Sequence, residues 1–123
     1  MSLYSHDDAY AIRFNGQELM HSKATSSERQ MGQLGVGRVP SEGETRVLIG
    51  GLGLGYTLRS VLEAIGAETT VELAELYPEV VEWNRTFLEK LNGSLLADSR
   101  VQVLEKDVRN VITRAKPETY DAI

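Results

Sequence analysis

The sequence predicts a doubly wound, mostly parallel α/β sheet preceded by a short N-terminal β-hairpin. From residue 46 onward, short apolar segments alternate with segments of helical periodicity, and parallel strands are joined through such helical crossovers. A glycine-rich turn joins the first of these strands to its helix, at the point where ligands approach a sheet of this kind. In the N-terminal part, Asn15-Gly16 lies between two segments of partial apolar/polar alternation, which is typical of a hairpin.

The N-terminal elements are a hairpin, a short helix and a loop. The segment "YAIRFNGQELM", residues 10 to 20, holds the hairpin, because Asn and Gly tolerate the positive φ angles of a type I′ turn. Ser26 or Ser27 can cap a helix that runs through Leu34. The segment "GVGRVPSEGE" is then a loop that ends before a strand at Val47.

The remaining elements alternate between strand and helix until the sequence ends. Apolar, β-branched segments predict the strands, and apolar residues at helical spacing with Pro, Gly or Asn at the ends predict the helices. The strands are "RVLIG", "TTVELAEL" and "RVQVLEKD", and "YDAI" begins a fourth. The helices are "YTLRSVLEAIG", a segment from Pro78 to about Leu91 that Asn92-Gly93 ends, and "VRNVITRA".

Composition excludes several classes of function. The net charge of -5 provides no basic surface for a phosphate backbone, so nucleic acid is not an expected partner. The chain has no cysteine, and His6 and His21 lie on polar segments without a second imidazole nearby, so we expect no metal site. The acidic N-terminus is unlike a secretory signal, and no apolar run approaches the roughly 20 residues that span a bilayer. We expect a cytoplasmic protein.

The glycine-rich turn departs from two phosphate-binding motifs and fits a third motif, which binds a nucleoside. Residues 50–57 match a P-loop except that Tyr56 stands in place of the lysine, and Tyr56 would also replace the third glycine of a dinucleotide-binding loop. An NTPase and an NAD enzyme are therefore disfavoured. The pattern G-x-G-x-G fits a nucleoside without a pyrophosphate. The predicted binding residues are Gly50, Gly51, Gly53 and Gly55.

Two acidic residues follow the next two strands and are candidates for nucleoside contacts. Glu75 lies 20 positions after Gly55, where a Rossmann unit places the acid that accepts hydrogen bonds from the ribose. Glu72 lies nearer mid-strand, and its side chain would leave the opposite face. Asp107 follows the third strand, where its carboxylate could accept a hydrogen bond from an adenine amino group. Glu75 could instead be a surface acid at a helix N-terminus, and Asp107 a plain N-cap.

These elements predict two parts of the chain. Residues 1–44 form an N-terminal hairpin and helix segment, and residues 45–123 form a nucleoside-binding Rossmann-like domain that stops at its fourth strand. A sheet interrupted there would leave an apolar edge. We therefore expect the sequence to be a fragment of a longer protein.

The segments "RVLIGGLGLG", "AELYPEVVEWNR" and "RVQVLEKDV" follow one another after "ELMHSKATSSER". Together they resemble the spermidine/spermine synthase (aminopropyltransferase) branch of the S-adenosylmethionine-dependent methyltransferase fold, over about residues 10 to 123. The segment "AELYPEVVE" is similar to the family's V-E-[ILV]-D-P-x-V-[IV]-x, with Glu75 at the ribose-binding position. Ile49, two residues before the first motif glycine, is hydrophobic as in the aminopropyltransferases.

The resemblance implies a transferase of polyamine biosynthesis. Its cosubstrate would be S-adenosylmethionine or decarboxylated S-adenosylmethionine, its reaction the transfer of an aminopropyl group to an amine, and its assembly a homodimer. The catalytic residue is unknown, because the family's catalytic aspartate lies beyond Ile123.

The departures from the family pattern keep other functions open. Leu54 stands where the family has an aspartate that faces the amine of the decarboxylated cosubstrate, and Tyr77 stands where an aspartate is usual. Ser27-Glu28 is not followed by the usual Tyr-His pair. The alternatives are a methyltransferase that uses S-adenosylmethionine and a non-catalytic nucleoside-binding relative.

Overall fold

A computed structural model of the chain, describing all 123 residues, contains two three-stranded sheets of different kinds. The strands are β1 (Ser2–His6), β2 (Ala9–Phe14), β3 (Gln17–His21), β4 (Thr45–Gly50), β5 (Thr69–Ala74) and β6 (Val101–Leu104). The helices are α1 (Ser26–Gly35), α2 (Tyr56–Ala64), α3 (Pro78–Arg85), α4 (Glu89–Asn92) and α5 (Val108–Arg114), with a 3-10 turn at Leu95–Ala97. None of these helices is long and apolar enough to span a bilayer.

The N-terminal sheet is antiparallel, with the strand order β1-β2-β3. Asn15 (φ 49°) and Gly16 (φ 76°) join β2 to β3 with the two positive φ angles of a type I′ turn, so the predicted hairpin is confirmed. Strand β1 adds a third strand that the sequence analysis did not predict. Most of its side chains are exposed, so it carries no apolar pattern that would have indicated it.

The second sheet is parallel, with the order β4-β5-β6, and its strands are joined through helices as predicted. On the other side of β4, the Leu48 N–H donates to the Ala122 carbonyl at 3.0 Å, which forms a parallel bridge between Val47 and Ala122. The predicted fourth strand therefore begins beside β4, and the strand order reverses there. The predicted doubly wound α/β class is confirmed.

One face of the parallel sheet forms the main hydrophobic core with α2 and α3. Its members include Val47 and Ile49 of β4, Val71 and Leu73 of β5, Leu58 and Val61 of α2, and Val80 and Val81 of α3. Full burial of each such side chain contributes roughly 1.5–3 kcal/mol. This core fixes the positions of β4 and β5, whose carboxyl ends form the candidate site.

A second, smaller cluster joins the N-terminal sheet to the glycine-rich turn. It consists of Ile12, Leu54, Tyr56 and Leu88, all less than a tenth exposed. Ile12 belongs to β2 and Leu54 to the turn itself. The N-terminal sheet therefore packs directly on the turn.

The predicted helix from Pro78 to about Leu91 is wrong in extent, because it is broken between α3 and α4. Thr86 leaves the helical region (φ -119°, ψ -88°), and the Leu88 N–H donates to the Trp83 carbonyl at 2.9 Å. The break lets Leu88 enter the smaller cluster at 1% exposure while Phe87 stays 60% exposed. Burial of Leu88 under Ile12 and Leu54 is a tertiary contact that helical periodicity does not reveal.

Helix α1 crosses α2 at Gly32, and a substitution at this residue tests how closely the two helices pack. A β-carbon at Gly32 would lie 2.7 Å from Ser60 Cβ and 2.9 Å from the Thr57 carbonyl. Overpacking costs about 1–3 kcal/mol and exceeds the gain in helix propensity of about 1 kcal/mol. We expect Gly32→Ala to lower the free energy of unfolding by up to about 2 kcal/mol in chemical denaturation, which is the difference between these two terms.

Gly35→Ala is the matched control for this substitution. Gly35 lies in the same helix, and a β-carbon there would have no neighbour within 4 Å. This variant should be as stable as the original chain or more stable. Equal stabilities for the two alanine variants would contradict the close crossing of α1 and α2.

Candidate functional site

The candidate site lies where the parallel strands end at one edge of the sheet. Gly50, Ala74 and Leu104 are paired in register across β4, β5 and β6. The Gly51 N–H then donates to the Ala74 carbonyl at 2.8 Å, and the Glu75 N–H donates to the Leu104 carbonyl at 2.9 Å. The glycine-rich turn and Glu75 therefore leave the sheet side by side, at the edge where doubly wound sheets bind ligands.

Three of the four glycines make room for side chains of this same chain. A β-carbon would meet Val108 (3.0 Å) at Gly50, the thioether of Met20 at Gly53, and Asn84 Oδ1 (2.9 Å) at Gly55. Gly53 and Gly55 also have positive φ angles of 53° and 88°. The absence of side chains at these three positions is thus explained by packing within the chain. Their contact with a nucleoside stays a prediction.

Gly51 differs from the other glycines of the turn. Its φ is +93°, it is exposed, and a β-carbon there would have no neighbour within 4 Å. The leucines on either side of Gly53 point inward instead, with Leu52 at 4% and Leu54 at 0% exposure. Gly51 is therefore the position where bare main chain faces open space.

Glu75 is buried at 6% exposure and connects β5 to the glycine-rich turn. Its Oε2 accepts a hydrogen bond from the Leu52 N–H at 2.8 Å, and its Oε1 accepts one from the Tyr77 N–H at 3.0 Å. These two donors compensate the buried charge. A carboxylate accepts about four hydrogen bonds, so each oxygen retains acceptor capacity for a ligand hydroxyl.

Glu72 lies within β5, paired with Leu48 of β4, and residues three apart along a strand point to opposite faces of the sheet. Its Oε2 lies 3.9 Å from Arg46 Nη1 and has no hydrogen-bond partner. Glu75 and Glu72 therefore differ in the face of the sheet to which their side chains point, as well as in their distance from the end of β5.

Asp107 is the N-cap of α5. Its Oδ1 accepts a hydrogen bond from the Arg109 N–H at 2.9 Å, and its Oδ2 accepts one from Arg109 Nη2 at 2.8 Å. These donors lower the pKa of Asp107 below its usual range. The structure thus shows the N-cap role that the sequence left open, and the adenine contact stays a prediction.

Two asparagines hold the carbonyl groups of the glycine-rich turn, and the sequence analysis did not assign them this role. Asn84 Nδ2 donates to the Gly53 carbonyl at 2.8 Å and to the Val80 carbonyl at 2.9 Å. Asn92 Nδ2 donates to the Leu54 carbonyl at 2.7 Å. Asn84 is a polar residue on the inward stripe of a helix, and this is the one signal in the sequence that could have indicated a buried partner.

Tyr56, which replaces the lysine of a P-loop, is buried at 6% exposure in the smaller cluster. Its hydroxyl donates weakly to the Ser22 carbonyl at 3.4 Å, and burial raises its pKa. A side chain in this place does not reach a phosphate. The chain also has no group of three or more His, Asp or Glu side chains placed to hold a metal ion.

Two solved structures of spermidine synthases share this fold. The spermidine synthase from Thermotoga maritima superposes with a TM-score of 0.71 over 87% of this chain at 21% identity. A spermidine synthase in complex with the transition-state analogue AdoDATO superposes with a TM-score of 0.72 over 94% of this chain at 19% identity. No protein-family model and no curated protein sequence matches the chain.

These comparisons establish the class of fold. The chain is an α/β protein with the fold of the spermidine synthases, as the sequence resemblance implied. It spans 36% and 43% of the length of the two synthases.

The asparagine contacts predict a stability effect. We expect Asn84→Ala to lower the free energy of unfolding by about 1–3 kcal/mol, because it leaves the Gly53 carbonyl without its side-chain donor. Asn110→Ala is the matched control, since Asn110 is exposed on α5, and its effect should stay within about 0.5 kcal/mol. Equal effects in urea denaturation would mean that Asn84 does not hold the turn.

Proposed function

We propose that this chain binds S-adenosylmethionine or its decarboxylated form, as the nucleoside-binding part of a spermidine-synthase-like transferase that moves an aminopropyl group to an amine. The observation that carries the proposal is the buried Glu75 carboxylate beside exposed Gly51 at the carboxyl edge of the sheet. The likeness of the fold to a spermidine synthase in complex with AdoDATO supports it.

The ribose of the nucleoside is the group that fits Glu75. Two vicinal hydroxyls present two donors on one side of the sugar, and the two carboxylate oxygens retain one acceptor position or more each. Gly51 allows the sugar to approach the main chain, because no side chain stands between them. The base then lies toward β6, where Asp107 opens α5.

The proposed reaction depends on positioning. A neutral amine nitrogen attacks the aminopropyl carbon next to the sulfonium, so that a C–N bond forms and the C–S bond breaks. The sulfur takes the electron pair and leaves as a neutral thioether nucleoside, while the amine loses a proton. Holding the two reactants in line supplies much of the rate, and a carboxylate near the amine, acting as a general base, accepts the proton that the amine loses.

A second candidate function is a nucleoside-binding relative without aminopropyl transfer. Leu54, at the position of the family aspartate, is 0% exposed and packs with Ile12 and Leu88. This position offers no carboxylate for an ammonium group. Methyl transfer from S-adenosylmethionine is the other alternative that the same nucleoside site would serve.

The ribose contact is tested by removing each partner in turn. For the original chain, calorimetry should show that 5′-methylthioadenosine loses about 1–3 kcal/mol of binding free energy when its 2′-hydroxyl is removed. In Glu75→Gln, the same removal should cost much less, since the charged acceptor is gone. Because both ligands are measured on the same variant, any change in the stability of that variant affects the two affinities equally.

Glu72→Gln is the control, because Glu72 lies on the opposite face of the sheet. It should keep the full penalty for the missing hydroxyl. The same penalty in Glu75→Gln would show that Glu75 does not hold the ribose.

A further inference from the structure

A cavity of about 220 Å³ lies between the end of α3 and the 3-10 turn. We call it the Asn84 cavity, because Asn84 is the one buried residue in its wall, at 6% exposure. Gly51 and Glu75, which carry the proposed nucleoside site, are not part of this wall. The lining residues are Asn84, Arg85, Glu89, Ser94, Leu96 and Ala97.

The amide oxygen of Asn84 has no hydrogen-bond donor within the chain. Both hydrogen bonds of this side chain are donated by Nδ2, to the Gly53 carbonyl at 2.8 Å and to the Val80 carbonyl at 2.9 Å. These contacts fix the amide in one orientation, because a reversed amide would place Oδ1 against two carbonyl oxygens. The one fully enclosed side-chain polar atom without a partner is Glu72 Oε2, so Asn84 Oδ1 is reached from outside. A buried side chain therefore offers a free acceptor to a ligand in the cavity.

A carboxylate stands at the edge of the same cavity. Glu89 opens α4, and its Oε1 accepts a hydrogen bond from Ser94 Oγ at 2.6 Å. Because Ser94 also lines the cavity, this bond holds the carboxylate beside it. A carboxylate accepts about four hydrogen bonds, so most of the acceptor capacity of Glu89 stays free.

We propose that the Asn84 cavity binds a primary ammonium group, with Asn84 Oδ1 and the Glu89 carboxylate as its acceptors. An ammonium group has three donors and no acceptor, so it matches a free amide oxygen and a neighbouring negative charge. A carboxylate ligand has no donor for Asn84 Oδ1, and Glu89 repels it. A hydroxyl ligand donates once and gains less, because hydrogen bonds between charged partners are stronger.

The open edge of the cavity reduces the cost of binding a charge. Arg85, Glu89, Ser94 and Ala97 are all exposed, so the ammonium group keeps part of its hydration. Arg85 is the one cation in the wall, and its charge opposes binding. The proposal does not rest on nucleoside binding, and its test uses no nucleoside.

A ligand on Asn84 Oδ1 also acts on the glycine-rich turn. It polarises the amide and strengthens the hydrogen bond that Nδ2 donates to the Gly53 carbonyl. The Leu54 N–H belongs to the same peptide unit as that carbonyl. Occupation of the cavity should therefore change the NMR signals of the Asn84 side-chain amide and of the Leu54 N–H together.

The test is an NMR titration of the 15N-labelled chain at constant ionic strength. It compares n-propylammonium, n-propanol and propionate, which have three carbons each and differ in the head group. We expect n-propylammonium to shift both signals and to bind at least about fivefold more tightly than either other compound. Absence of n-propylammonium binding, equal or tighter binding of another compound, or shifts that leave out the Asn84 amide overturns the proposal.

Charge changes in the cavity wall should alter this affinity in opposite directions. Glu89→Gln keeps an acceptor for Ser94 but removes the charge, so it should weaken n-propylammonium binding about three- to fivefold. Arg85→Gln should strengthen it about two- to threefold. Glu82→Gln is the matched control, because Glu82 is exposed on α3 but outside the lining. An equal loss in Glu82→Gln and Glu89→Gln would overturn the proposal, because it would show a general charge effect.

Discussion

The carboxylate of Glu75 determines the geometry of the candidate site. It connects the end of β5 to the turn after β4, because one oxygen accepts from the Leu52 N–H and the other from the Tyr77 N–H. A buried carboxylate without such partners costs several kcal/mol, so the turn and the start of α3 must stay where their amides face it. Any ligand hydroxyl bound by Glu75 therefore meets an acceptor whose position is already set.

Side chains of this chain contact the glycine-rich turn from several directions, so most of its glycines are explained by packing within the chain. Asn84 and Asn92 fix its carbonyls, and Met20 occupies the space that a side chain of Gly53 would need. Only Gly51 among the four faces open space. A glycine pattern in a sequence shows that main chain is approached closely. It does not show whether a ligand or the chain's own side chains make that approach.

Local signals predicted much of the fold, and tertiary contacts account for what they missed. Asn15-Gly16 predicted the hairpin because the turn needs positive φ, a property of the two residues alone. The break before α4 depends on Leu88 packing against residues far away in the sequence. The position of Glu75 at the end of β5 could be predicted from the spacing along the sequence. The hydrogen bond from Asn84 to the Gly53 carbonyl could not, because it depends on α3 lying beside the turn.

The packing of the N-terminal sheet limits which side chain can stand at residue 54 of the glycine-rich turn. Leu54 is enclosed by Ile12 of β2, Tyr56 of α2 and Leu88, so an aspartate there would bury a carboxylate among apolar side chains. The cost of several kcal/mol is comparable to the total stability of a small domain. A carboxylate at residue 54 can therefore face a ligand only if the packing of β2 on the turn changes as well. Leu54 in the turn and the apolar face of β2 are thus two aspects of one packing arrangement.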